Sequence, residues 1–158
     1  MQESFTLRRF RMDDLQTVMQ INRMCLPENY SDYFFIDLAR KFPETFIVAE
    51  LKGEIVGYIM CRIETGLSGF SFGGLNKKGH IVSVAVMPEH RRQGIAKALI
   101  AKAFEGMQLH NAKQCYLEVR MSNDAAVNLY RTLGFEITRT INGYYADGEN
   151  AYVMTKKL

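Results

Sequence analysis

Apolar and polar positions alternate with two different periods along this chain, and each change of period marks a new element. Residues 5–9, Phe-Thr-Leu-Arg-Arg, alternate as a strand. Met12-Asp13-Asp14 then opens a helix whose Leu15, Val18, Met19 and Asn22 or Met24 fall near one face, with the acidic pair at the positive end of its dipole. Pro27 ends that helix. Ser31 or Asp32 caps a second, Phe34, Phe35, Leu38 and Phe42 form its apolar side, and Pro43 stops it. Residues 45–50 and 55–62 read as strands around Lys52-Gly53-Glu54, an antiparallel hairpin. The glycine-rich stretch 66–79 reads either as an extended hairpin or as a mobile loop, and its Phe70 and Phe72 argue against disorder.

A strand from residue 80 through Val86 leads to a helix over about residues 92–107, with Ile95, Leu99, Ala103 and Phe104 or Met107 at helical spacing. Residues 114–120 form another strand. Asn123-Asp124 caps a helix carrying Ala126, Val127, Leu129 and Tyr130, which Gly134 terminates. Late strands over 135–138 and 151–154 flank the segment 143–148. The predicted order βααβββαβαββ has no repeat and no low-complexity linker, and specifies an α/β fold of one domain over residues 1–158.

Composition narrows the function class. A hydrophobic share of 47 % with 23 % charged residues suits a packed globule and excludes a disordered or collagen-like chain. The net charge of +3 falls short of a nucleic-acid-binding signature, and there is no apolar run long enough to span a bilayer. The chain begins with polar Met1-Gln2-Glu3-Ser4, so a soluble cytoplasmic protein without direct nucleic-acid or membrane partners is expected. Cys25, Cys61 and Cys115 are scattered and odd in number, which predicts buried thiols in a reducing compartment. Neither they nor His80, His90 and His110 have metal-ligand spacing.

The chemistry concentrates where the strand through Val86 runs on to Arg91-Arg92-Gln93-Gly94-Ile95-Ala96. A helix start has backbone N–H groups without partners, and small residues there leave them uncovered, so this turn is a candidate anion cradle. It lacks the three spaced glycines of a dinucleotide fingerprint and the Gly-Lys-Ser/Thr of a nucleotide loop. It resembles instead the R/Q-x-x-G-x-G/A pyrophosphate loop of the GCN5-related acetyltransferases. Leu26-Pro27-Glu28-Asn29-Tyr30, Leu117-Glu118-Val119-Arg120, Leu129-Tyr130 with Leu133-Gly134-Phe135, and Tyr144-Tyr145-Ala146-Asp147-Gly148 extend the likeness over nearly the whole chain. Together they are similar to the Ard1/Naa10-type protein N-terminal acetyltransferases and to the RimI group.

That resemblance implies a mixed central sheet with splayed central strands and flanking helices, binding acetyl-CoA. It implies that the backbone of Val84, Ala85 and Val86 receives the pantetheine arm, and that Arg91, Arg92, Gln93, Gly94, Ile95 and Ala96, continued by Lys97, hold the pyrophosphate. Asn123 matches a residue that contacts the cofactor, although an N-cap role explains it equally well. Glu118 matches a general base and Tyr130 a proton donor to the leaving thiolate, with His80 ordering a water or sharing the deprotonation. Leu26, Pro27, Glu28 and Tyr30 match one substrate loop and Tyr144 and Tyr145 the opposing one. The implied substrates are protein or peptide N-termini, with an auxiliary subunit or ribosome association as further partners. The alternatives are a polyamine or aminoglycoside acetyltransferase and a non-catalytic coenzyme A-binding module.

Overall fold

Residues 46–51, Phe-Ile-Val-Ala-Glu-Leu, are apolar at almost every position, a pattern that a strand tolerates only when both its faces are covered. The computed structural model, which describes residues 4–67 and 75–158, shows that arrangement. Its elements are β1 (Thr6–Arg9), α1 (Leu15–Cys25), α2 (Asp32–Lys41), β2 (Phe46–Leu51), β3 (Glu54–Leu67), β4 (Leu75–Val86), α3 (Ile95–Leu109), β5 (Gln114–Arg120), α4 (Asp124–Thr132), β6 (Glu136–Ile141) and β7 (Ala151–Lys157). The strands form one seven-stranded sheet in the order β1-β2-β3-β4-β5-β7-β6. The β4–β5 pair is parallel and the other neighbours are antiparallel, because α3 carries the chain across the sheet between those two strands.

Two cores sandwich the sheet. Phe46 and Val48 of β2 pack with Tyr58 and Met60 of β3 against Val18 and Ile21 of α1 and Phe35 and Leu38 of α2. The alternate positions Ile47, Ala49, Ile59 and Cys61 face Ile95, Leu99, Ala103 and Met107 of α3 and Val127 of α4. Gly106 lets α3 come close: a Cβ there would collide with the Glu44 carbonyl just before β2.

The expected element order is observed. Ser31 is the cap of α2, accepting from Phe34 N, and Asn123 is the cap of α4. On α1 it is Asn22, 1 % exposed, that lies in the apolar face, whereas Met24 is 60 % exposed. Of the 66–79 stretch, the described residues continue the hairpin, with Gly66 opposite Asn76 and Leu67 opposite Leu75. Phe70 and Phe72 lie outside the described residues. The third helix starts at Ile95 and not near Arg92, because Arg92 (φ +62°) and Gly94 (φ +82°) adopt left-handed backbone conformations that a helix does not admit.

Candidate active site

Pairing between β4 and β5 covers only Lys78↔Gln114, Gly79↔Cys115 and His80↔Tyr116, although both strands run on, to Val86 and Arg120. The cause lies on the other side of β4. Ser83 is opposite Met60 and Ile81 is opposite Cys61, so Val82 is a surplus residue, a β-bulge that bends the strand away from β5. Beyond His80 the β5-facing edge of β4 has no strand partner among the described residues, and a cleft opens there.

The cleft continues as a cavity of about 720 Å³, within the ordinary range of small-molecule sites, past Val84, Ala85 and Val86 to the start of α3. Among the described residues, the first paired N–H of that helix is Ala98, bonded to the Gly94 carbonyl, so those of Ile95, Ala96 and Lys97 are left for a ligand. The left-handed turn at Gly94 brings these donors to the cleft, and the space where its Cβ would be is open. Arg91, Arg92 and Lys97 line the same end. Arg91 is anchored, its Nε donating to the Val86 carbonyl over 2.9 Å. Gln93 is the exception in this group: it does not line the cleft, and its buried Oε1 has no hydrogen-bond partner among the described residues.

A second cavity of about 430 Å³ lies on the other side of the splay. Here His80, on β4, and Glu118, on β5, meet with Nε2 and Oε1 2.7 Å apart. Arg62 Nε donates to His80 Nδ1 over 3.2 Å. A guanidinium has no acceptor, so Nδ1 carries the lone pair and the ring proton is on Nε2, donated to Glu118. Arg62 is paired with Glu64 at 2.9 Å, Tyr116 donates its hydroxyl to Glu64, and the Tyr116 ring stacks on His80 at 4.4 Å and 4°. His80 is thus held on both nitrogens and one face. Tyr144 lies beside Glu118 as well, and among the described residues no lysine or arginine pairs with that carboxylate.

Both substrate-loop motifs reach this channel. Leu26, Pro27, Glu28 and Tyr30 line one side, and Tyr144 and Tyr145, with rings 4.9 Å apart at 87°, the other. Tyr30 donates to the carbonyl of the bulge residue Val82 over 3.4 Å and stacks on Phe34. Glu28 is already partnered: its carboxylate lies 2.7 Å from Arg120. Leu26, Val84, Asn123 and Tyr130 line both cavities, so the two meet at these residues. Burial pushes the Tyr130 phenol up to about 12, which keeps its proton on at neutral pH. Asn123 serves as the N-cap expected of it, its Oδ1 accepting from Ala126 N over 3.2 Å, and only its Nδ2 is left for a ligand.

Several residues of the site lay outside the sequence reading. Asn22 Nδ2 donates to the Glu28 carbonyl and to the Tyr58 hydroxyl, both at 3.1 Å, and Tyr58 is 2.6 Å from Ser83 Oγ. This buried polar chain fixes the 26–30 loop to the bulged part of β4. An asparagine on an apolar helix face was the available signal. Arg62, Glu64 and Tyr116 gave none, since their pairings depend on strand register, and Arg120 stood in a motif without its partners being legible.

Residues 15–135 match the family model described as "Acetyltransferase (GNAT) family". The chain is 46 % identical over 158 residues to an N-alpha-acetyltransferase of Sulfurisphaera tokodaii, covering 99 % of this chain and 95 % of that protein. It is 41 % identical to the N-terminal acetyltransferase A complex catalytic subunit NAA10 of Arabidopsis thaliana, over 96 % of this chain and 77 % of that one. Among solved structures, Ard1 from Thermoplasma volcanium superposes with a TM-score of 0.82 at 32 % identity, covering 98 % of this chain and 97 % of the other.

Proposed function

The chain belongs to the GNAT acetyltransferase family, and from that premise we propose that its joined cavities carry an acetyl group from acetyl-CoA to the α-amine of a protein N-terminus. The protein is an N-terminal acetyltransferase by its relatives. The assignment of residues rests on one observation: Tyr130 lines both cavities, while Glu118 lines only the channel between the two loops.

The residues fit acetyl-CoA in two ways. The edge of β4 past His80, no longer paired with β5, offers backbone groups along an apolar cleft, as an extended amide-bearing arm requires. The unpaired N–H groups at the start of α3, with the helix dipole behind them, suit a pyrophosphate. When bound, acetyl-CoA supplies an acetyl thioester. Glu118 accepts the amine proton, directly or through one water, with Oε1 held by His80. Tyr130 offers its hydroxyl proton on the cofactor side, where a leaving sulfur needs one. His80, with its proton on Nε2, orients the base and takes no proton itself at that nitrogen.

The α-amine suits so simple a base. With an ordinary pKa of about 8 it is deprotonated at pH 7 for about 1.4 kcal/mol, against about 4.6 kcal/mol for a lysine at about 10.4. Our reading takes residues 1–158 as one acetyltransferase domain working like the RimI group, in the cytoplasm, where nascent chains present their amines. An auxiliary subunit or ribosome contact would deliver those chain ends to the channel. Purified protein incubated with acetyl-CoA and a panel of free-amine peptides should yield products heavier by one acetyl group, blocked at the first residue. Transfer confined to internal lysines, polyamines or aminoglycosides would overturn the reading.

A further inference from the structure

The two loops flanking the channel are far apart in sequence, yet one side chain holds both. Arg120, the last residue of β5, sends Nη2 to Glu28 at 2.7 Å and Nη1 to Asp147 at 2.8 Å and Glu149 at 2.9 Å. Its guanidinium carbon lies 4.1 Å from the centroid of the Tyr145 ring. The 26–30 loop between α1 and α2 and the 144–149 segment between β6 and β7 therefore share one cation. The far segment is also fixed at the base of α4, where Ser122 N donates to Glu149 at 2.9 Å and Met121 N to the Asn150 carbonyl at 3.1 Å.

We propose that Arg120 is the positioning residue for the acceptor peptide: a clasp that sets the width of the channel by joining its two lips. This rests on the reading of the channel as the peptide site. Three features favour a placed clasp over incidental surface pairing. The planar fork meets carboxylates from two separate loops, a geometry that lysine with its single ammonium cannot reproduce. The arginine side chain is only 19 % exposed. Its buried Nε has no hydrogen-bond partner among the described residues, a penalty that a freely placed surface arginine would relieve by turning to water.

The clasp also bears on charge. Glu28 has its charge compensated by Arg120, whereas Glu118 meets His80 and lies beside Tyr144. Among the described residues Arg120 thus leaves Glu118 as the channel carboxylate without a lysine or arginine partner, and steers the amine toward it.

The test compares wild type with Arg120→Met, Arg120→Lys and Glu28→Gln. For Arg120→Met the peptide KM should rise by about tenfold to a hundredfold, while kcat and the acetyl-CoA KM change by less than about threefold. Arg120→Lys should be intermediate, and guards against misfolding of the methionine variant. Amide hydrogen exchange, which needs no turnover, should speed up in residues 26–30 and 142–150 together for Arg120→Met, and in 26–30 alone for Glu28→Gln. An unchanged peptide KM in both Arg120 variants, or exchange that leaves either loop as in wild type, would overturn the clasp. Failure of wild type to acetylate any peptide would instead overturn the function, with the exchange data still deciding whether one cation joins the loops.

Discussion

His80 donates its Nε2 proton to Glu118 over 2.7 Å from the last position at which β4 and β5 are still paired. Arg62 dictates the direction of that bond by donating to Nδ1. Nitrogen-15 spectra of the imidazole should therefore show a protonated Nε2 and an unprotonated Nδ1. The reverse tautomer would remove Arg62 from the arrangement and reopen a proton-accepting role for His80.

Glu118→Gln keeps an oxygen able to accept from His80 but loses the base. We expect kcat to fall by about 10²–10⁴-fold, with acetyl-CoA affinity by calorimetry unchanged. Retained activity would mean that another group, or bulk water, takes the proton.

Tyr130→Phe separates chemistry from packing. The ring packs edge-on against Phe135 at 5.9 Å, and its hydroxyl has no hydrogen-bond partner among the described residues. Loss of the hydroxyl should change stability by less than about 1 kcal/mol. The expected fall in kcat is again about 10²-fold or more. A variant that unfolds in parallel with its loss of rate would reassign Tyr130 to the core.

Asn22→Ala removes a donor shared by the Glu28 carbonyl and the Tyr58 hydroxyl. The buried acceptors left behind should lower stability by about 1–3 kcal/mol, read by denaturant unfolding. Because the 26–30 loop loses its tie to the sheet, the peptide KM should rise more than the acetyl-CoA KM.

Acid should open the 144–149 segment before it unfolds the sheet. Hydrogen bonding from the Glu149 amide and from Arg120 holds the Asp147 carboxyl below its usual range, and bonds from Ser122 and Arg120 do the same for Glu149. Groups depressed in the folded state stabilise it fully above the ordinary carboxylate range, about 4, and that contribution is lost as pH falls through their folded values. Near-ultraviolet dichroism from Tyr144 and Tyr145 should therefore change between about pH 5 and about pH 2, ahead of the far-ultraviolet signal. Coincident transitions would show that the loop carboxylates have no independent hold.

Local pattern carried most of the fold. The alternation of Gln-Cys-Tyr-Leu-Glu-Val-Arg located β5 to the residue, since one of its faces packs in the core and the other does not. The 64–67 and 75–78 ends of the β3–β4 hairpin were harder, because Glu64, Thr65, Lys77 and Lys78 have no apolar face to give a period. Within the site, Glu118, Tyr130 and the two loops were legible from motifs. Arg62 was not, because a lone arginine in a strand looks like surface charge until the register shows what lies opposite, and the 117–120 motif showed Arg120 without the carboxylates it joins.

The surplus residue at Val82 has a further consequence. Ile81 and Val84 face the α3 core, whereas Val82, Ser83 and Ala85 face α1 and α2, so excising Val82 would leave every other side chain on its present side. The shortened strand would be straight, free to zip onto β5 as far as Arg120. A tidier ladder, with more backbone bonds and no gap, would be a sealed and inert one; the irregularity is the part of the architecture that stability alone would have erased.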